Sequence, residues 1–153
     1  MKHTVSCFLL ALCAVLFLIS APAFGNDSPE ALQDAFVAAM INNDADGLAA
    51  CYTPDAVNFP VDSMIGTGPD SVRESWGAFF AVYTVKDIKL THNRMEAFGD
   101  TAAAWGLFTM LVTPVAGGEP VEMVGRFMDV AKKTEDGWLY IADHASVPAA
   151  AEE

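Results

Sequence analysis

The sequence predicts an α+β fold, on three observations. Helical apolar spacing is confined to the first half of the chain, and strand-like segments separated by turn signals fill the rest from Val85 onward. Within 153 residues no linker or internal repeat divides the chain, so one domain is expected. Three helical segments followed by a strand meander place the helices on one face of a curved antiparallel sheet.

The first helix starts at Ser28-Pro29-Glu30, with Ser28 as N-cap, Pro29 at the first helical position and Glu30 in the first turn. Leu32, Phe36, Val37, Met40 and Ile41 recur at helical spacing, and Asn42-Asn43-Asp44 ends the run. Asp46 is expected to cap a short second helix with Leu48, Ala49 and Tyr52 on its apolar side, stopped by Thr53-Pro54. Ala56 to Phe59 reads as a brief strand closed by Pro60, and Gly66-Thr67-Gly68 as a turn. Pro69-Asp70 opens the third helix, which carries Val72, Trp76, Phe79 and Phe80 and fades near Tyr83. Strands follow over 85–98, 101–115, 120–133 and 138–147.

Residues 1–25 carry Lys2 and His3, then the apolar run Phe8 to Ile19, then small residues at Ala21, Ala23 and Gly25. That is the three-part pattern of a secretory signal peptide, and the run is short for a membrane span of about 20 residues. Cleavage after Ala23 or Gly25 fits equally well. An exported, periplasmic or secreted protein is expected, with one domain over 26–148, a frayed tail over 149–153 and no membrane attachment once the signal is removed. Cys7 and Cys13 would leave with the signal, so Cys51 has no intrachain disulfide partner. The formal net charge is −12, and such an acidic surface repels phosphate backbones, which argues against a nucleic-acid partner.

The strand from Thr101 has two apolar faces, Ala103, Trp105, Leu107 and Leu111 on one and Ala102, Ala104, Phe108, Met110 and Val112 on the other. A sheet open to water alternates apolar with polar. Helices over one face and a second subunit over the other would account for it, so a homodimer is expected.

The order of Asn43-Asp44-Ala45-Asp46-Gly47-Leu48, Tyr52-Thr53-Pro54-Asp55-Ala56-Val57, Gly68-Pro69-Asp70-Ser71-Val72-Arg73 and Asp143-His144-Ala145-Ser146 resembles the nuclear transport factor 2-like superfamily. Within it the chain is most similar to the ketosteroid isomerase homologues and SnoaL-like proteins, from about Pro29 to Val147. The resemblance implies a conical α+β barrel with a pocket between helices and concave sheet, commonly dimeric through the sheets. It does not imply one activity, since this fold carries isomerases, cyclases, dehydratases and binding proteins. Isomerase chemistry needs a carboxylate base, with a tyrosine and a protonated aspartic acid donating to an oxyanion. The resemblance puts Phe59 at the base position before Pro60, Phe36 at the tyrosine position and Asp129 at the oxyanion position. With one of three retained, ordinary ketosteroid isomerase activity is not expected.

The closing stretch carries the chemistry. Strict alternation sets Trp138, Tyr140, Ala142, His144 and Ser146 on one face and Leu139, Ile141, Asp143 and Ala145 on the other. A two-residue Asp136-Gly137 loop would set Asp129 opposite His144, an acid–imidazole pair able to act as general base or acid. A three-residue loop with a bulge at Gly137 would instead give His144 the same face as Arg126 and Met128, and an anion site. Ser146 lies about 6.6 Å along the strand from His144 with no elbow turn, so it is no nucleophile. With His92 the only other histidine of the mature chain and no clustered spacing, neither a metal nor a phosphate-cradling loop is indicated, and no cofactor is expected. The expected function is therefore binding of a small organic molecule in an apolar pocket. Its wall would include Tyr52, Phe59, Met64, Trp76, Phe80, Arg126 and Ser146, and its chemistry would be cofactor-free isomerisation or dehydration by His144 with Asp129. The alternative is a non-catalytic dimerisation or binding module.

Overall fold

The computed structural model describes residues 26–61 and 64–148, so the proposed signal segment and the C-terminal tail lie outside it. Helix α1 spans Pro29–Asn42, with the Ser28 side chain accepting from the Ala31 amide and Asn43 closing it at φ 55°. Helix α2 is a single turn, Ala45–Ala49, capped by Asp44 rather than Asp46; the Asp44 carboxylate accepts from the Gly47 amide at 2.9 Å. Tyr52, expected on that helix, instead begins strand β1, Tyr52–Phe59. The turn expected at Gly66 contains a two-residue strand, β2 (Gly66–Thr67), which runs into α3, Gly68–Val82. Four long strands complete the chain: β3 Tyr83–Phe98, β4 Thr101–Pro114, β5 Val121–Thr134 and β6 Gly137–Ser146.

The six strands form one sheet in the order β2-β1-β6-β5-β4-β3. Neighbours are antiparallel except β1 and β6, which run parallel. The sheet is a cone that does not close, with β2 and β3 as its edges. Helices α1 and α3 lie against its concave face, and the fully buried Leu32, Leu48, Val72, Val85 and Val112 join the two layers. Each such side chain contributes roughly 1.5–3 kcal/mol on leaving water.

Two bulges decide what the concave face presents. The β5–β6 hairpin turns over Glu135-Asp136, with Thr134 opposite Gly137, one residue earlier than the Asp-Gly loop read from the sequence. Further along, Ala131 pairs Tyr140 while Val130 pairs Ala142, so Ile141 is an extra residue on β6. The bulge reverses the alternation: Trp138 and Tyr140 are buried inside, and beyond Ile141 the inward positions pass to Asp143 and Ala145. In β3, His92 and Asn93 stand against the single residue Gly106, and His92 takes the left-handed φ of 51°.

Candidate functional site

Between α1, α3 and the concave face lies a cavity of about 690 Å³. Its helical wall comes from Gln33, Phe36, Val37 and Met40, one stripe at i, i+3, i+4 and i+7, and from Ser75, Trp76 and Phe79 of α3. Edge-to-face contacts of Phe36 with Trp76 at 6.2 Å and of Trp76 with Phe79 at 5.5 Å stiffen that wall. On the sheet side Leu90, Phe108, Met110 and Phe127 are apolar. Against them stand three polar residues, Asn58, Asp129 and Asp143.

Asp129 and Asp143 are directly opposite on β5 and β6, on the inner face, with their carboxyl groups in hydrogen-bonding contact. Burial pushes the Asp129 carboxyl well above the usual carboxylate range, and the charge and hydrogen bond of Asp143 push the same way. Asp143 is also raised by burial, but hydrogen bonds from Tyr52 and Asp129 and the charge of His144 act in the opposite sense. Both carboxyls are thus held above the usual carboxylate range, Asp129 with every cause pushing the same way, and the pair in contact shares a proton. The Tyr52 phenol donates to Asp143 Oδ2 as well. The Tyr52 hydroxyl is itself held protonated, by burial first and by the Asp143 charge second. Asp129 Oδ1 is buried and has no partner. A carboxylic acid and a carboxylate side by side, in a largely apolar wall, can deliver one proton and accept another.

The Asp129–His144 pair expected from the sequence does not form. His144 pairs with Met128, whose side chain is 57% exposed, and lies on the convex face with its ring 6.2 Å from that of Phe59. Its parity matches the three-residue-loop alternative, which grouped it with Arg126 and Met128, although the Ile141 bulge produces it. The anion pocket attached to that alternative is absent, because this face looks outward and Arg126 and His144 are both exposed. Ser146 pairs with Arg126 on the same outer side.

Of the other residues expected in the pocket wall, Trp76 lines the cavity. Tyr52 is buried behind Asp143 and acts on it through its hydroxyl. Phe80 packs on Trp76 and Phe79 from the core side. Phe59 is 39% exposed on the outer face, its neighbour Asn58 taking the inward position, and Met64 is 87% exposed. Cys51 is buried with its thiol pushed up to about 12, so it supplies no thiolate. Among the described residues no group of three His, Cys, Asp or Glu could hold a metal ion, and no helix is long and apolar enough to cross a membrane.

Sequence reasoning missed Asp143, Asn58 and Gln33. Asp143 was hidden by the bulge, which alternation does not register. Gln33 was legible, as the one polar residue on the stripe of Phe36, Val37 and Met40.

A family model described as a SnoaL-like domain matches residues 34–142. No curated protein matches the chain. Among solved structures, the chain is similar to a ketosteroid isomerase-like protein from Erwinia carotovora atroseptica, at 18% identity and a TM-score of 0.67 over 79% of this chain and 94% of the other. An NTF2-like family protein from Streptomyces avermitilis matches at 24% identity and 0.64, covering 78% and 92%. A calcium/calmodulin-dependent protein kinase II association-domain relative from Xanthomonas campestris matches at 22% and 0.69, covering 78% and 85%.

Proposed function

Because the chain belongs to the SnoaL-like domain family, we propose that its cavity binds a small, largely apolar organic molecule and moves a proton on it without a cofactor. The observation that carries this reading is the Asp129–Asp143 pair in the wall of an otherwise apolar cavity. Burying two carboxyl groups in contact costs stability, since only one of them can ionise readily. A protein that needed only an apolar core would be better served by two aliphatic residues there.

In an isomerisation, Asp143 takes the proton from the carbon beside a carbonyl while the Asp129 hydroxyl donates to the oxygen as charge develops. Returning the proton to a different carbon completes the shift. In a dehydration, Asp143 takes the carbon-bound proton and Asp129 protonates the departing hydroxyl, which leaves as water. The proton on Asp143 then crosses the hydrogen bond to Asp129, restoring the starting state. Tyr52 steadies the Asp143 charge between steps.

A ketone with an acidic α-carbon tests the chemistry without knowledge of the natural substrate. With 2-tetralone in D2O, the protein should accelerate α-proton exchange followed by NMR. Asp143→Asn should lower that rate by about a hundredfold to ten-thousandfold. A wild-type rate no faster than buffer, or an Asp143→Asn rate equal to wild type, would sink the catalytic reading.

A second reading, a non-catalytic dimerisation module, is favoured by the convex face, where Leu107, Leu111 and Met128 are exposed beside Trp105. We place a homodimer contact there and expect export with loss of residues 1–25. Sedimentation of the mature chain as a monomer at micromolar concentration would remove the dimer. A secreted form whose mass includes Met1 would remove the export.

A further inference from the structure

The catalytic reading uses Asp129, Asp143 and Tyr52 and leaves one feature of the cavity unexplained. Gln33 is 8% exposed, lies in the helical wall, and its Nε2 has no hydrogen-bond partner. Buried side-chain amides are ordinarily satisfied, because an unpaired N–H keeps the cost of leaving water without recovering it. The other end of this amide is firmly held: Asn93 Nδ2 donates to Gln33 Oε1 at 2.6 Å.

Holding it requires a distorted backbone. Asn93 belongs to the two-residue bulge opposite Gly106, and its neighbour His92 sits at φ 51°, in the left-handed region that few non-glycine residues adopt. The bulge places Asn93 level with Gly106 on the inner side of β3, facing α1. Position 106 is tightly packed: a Cβ there would lie 3.0 Å from the Thr91 carbonyl oxygen, 3.1 Å from Asn93 Cα and 3.1 Å from Phe127 Cε1, so its neighbours would have to give by a few tenths of an ångström. A left-handed histidine, a tightly packed glycine and a part-buried asparagine contact thus converge on one glutamine in the cavity wall. A purely structural glutamine would use both ends of its amide.

We propose that Gln33 is a second polar anchor of the cavity, its Nε2 donating to an acceptor oxygen of the ligand, with Asn93 as the positioning residue that fixes the amide. This rests on the reading of the cavity as the ligand site and adds a ligand class to it. The ligand is an apolar body with two oxygen functions, one reaching the Asp129–Asp143 pair on the sheet side and the other, a carbonyl, ether or hydroxyl oxygen, reaching Gln33 on the helix side. Because Gln33 Nε2 only donates, an ammonium or other donor-only group does not satisfy it.

The test uses two fluorescent naphthalenes, 6-acetyl-2-naphthol with an oxygen at each end and 2-isopropylnaphthalene with none, titrated against the mature chain. Gln33→Met should weaken binding of 6-acetyl-2-naphthol about five- to tenfold and leave 2-isopropylnaphthalene within about twofold. Asn93→Ala should reproduce that selective loss in weaker form. The melting temperature of Gln33→Met should change little, because removal of an unpaired buried donor offsets loss of the Asn93 hydrogen bond, whose other end is exposed to water. Equal affinity of wild type and Gln33→Met for 6-acetyl-2-naphthol would overturn the proposal while leaving the cavity reading intact. A fall in melting temperature with both probes weakened alike would also overturn it, since that is what a structural glutamine predicts. Binding of neither probe to the wild type would overturn the cavity reading itself, and this proposal with it.

Discussion

Strands β5 and β6 present two carboxyl groups on one face and a methionine–histidine pair on the other, one residue away along each strand. On the concave face Asp129 meets Asp143; on the convex face Met128 meets His144. The backbone is the same ladder, and the side chains differ in what surrounds them. The inner pair is desolvated and backed by Tyr52, so its protons are shifted and shared. The outer pair is open to water, with His144 and Met128 both exposed. Histidine is the residue most often suited to proton transfer near neutrality, yet in this fold the histidine is outside and the capable groups are two aspartates. Burial, more than residue type, selects the chemistry.

Filling the inner face should disturb the protein most. A Cβ on Gly125 of β5 would lie 2.3 Å from Phe108 Cζ and 2.7 Å from the Ser146 carbonyl oxygen. The ring can shift, but the backbone oxygen is part of the β5–β6 ladder. Gly125→Ala should therefore cost about 3 kcal/mol or more in a urea melt. On the outer surface of α3, Gly77 has nothing within 4 Å of the same added atom. Gly77→Ala should stabilise by up to about 1 kcal/mol, since alanine loses less conformational freedom in a helix. Comparable effects of the two substitutions would mean that the inner face is less tightly packed than the structure has it.

The inner face should also respond to pH through Asp129. An unfolded aspartate ionises near pH 4, whereas the folded Asp129 holds its proton to higher pH because of burial and the Asp143 charge. Between those two points the native state binds a proton that the unfolded state has lost, so folding stability falls as pH rises. The contribution is fully present below about pH 4 and is lost as pH climbs through the folded value. Asp129→Asn keeps a donor toward Asp143 and removes the titration. Its stability relative to wild type should therefore grow from about pH 4 upward, with a slope of at most about 1.4 kcal/mol per pH unit. Denaturant melts at pH 4, 6 and 8 read this directly. A constant difference across that range would mean that Asp129 is ionised in the folded protein.

Much of the architecture was legible because it follows local rules. Ser28-Pro29-Glu30 starts α1 where capping chemistry places it, and strands β3 to β6 fall within two residues of their turn signals. The family's motifs pointed to the cone and its cavity. The failures lie where a residue count replaced geometry. Tyr52 continued a helical spacing, but Pro54 makes an extended run from Tyr52 the cheaper course, and β1 then finds its partner in β6, more than eighty residues away. Asp129, singled out from the sequence, lines the cavity, and its partner was misassigned because one bulged residue, Ile141, reverses every side chain beyond it. Nothing in Tyr140-Ile141-Ala142 marks a bulge, since none of the three is a glycine. The extra residue is stabilised by the sheet as a whole, with Tyr140 held in the core against Tyr52 and Phe36 and Asp143 held by the Tyr52 hydroxyl. Such a constraint comes from contacts distant in sequence, which periodicity within one strand does not contain.

The smallest expected effect belongs to the residue that looked most capable from the sequence. His144 stands on the convex face, edge-on to Phe59, and its only influence on the acid pair is the field of its charge. When protonated, the imidazolium helps to keep Asp143 ionised; when neutral, that help is gone. His144→Ala removes a half-exposed ring contact and no hydrogen bond to the cavity, so stability should change by less than about 1 kcal/mol. Exchange of 2-tetralone protons should fall by less than about threefold at pH 7, because a charge acting from the far side of the sheet is weakened by solvent. The sign of the residual effect is fixed: loss of the positive charge raises the Asp143 carboxyl, so any change should be a drop in rate. A hundredfold loss at pH 8 would return His144 to the catalytic apparatus and bring down the distinction between the two faces.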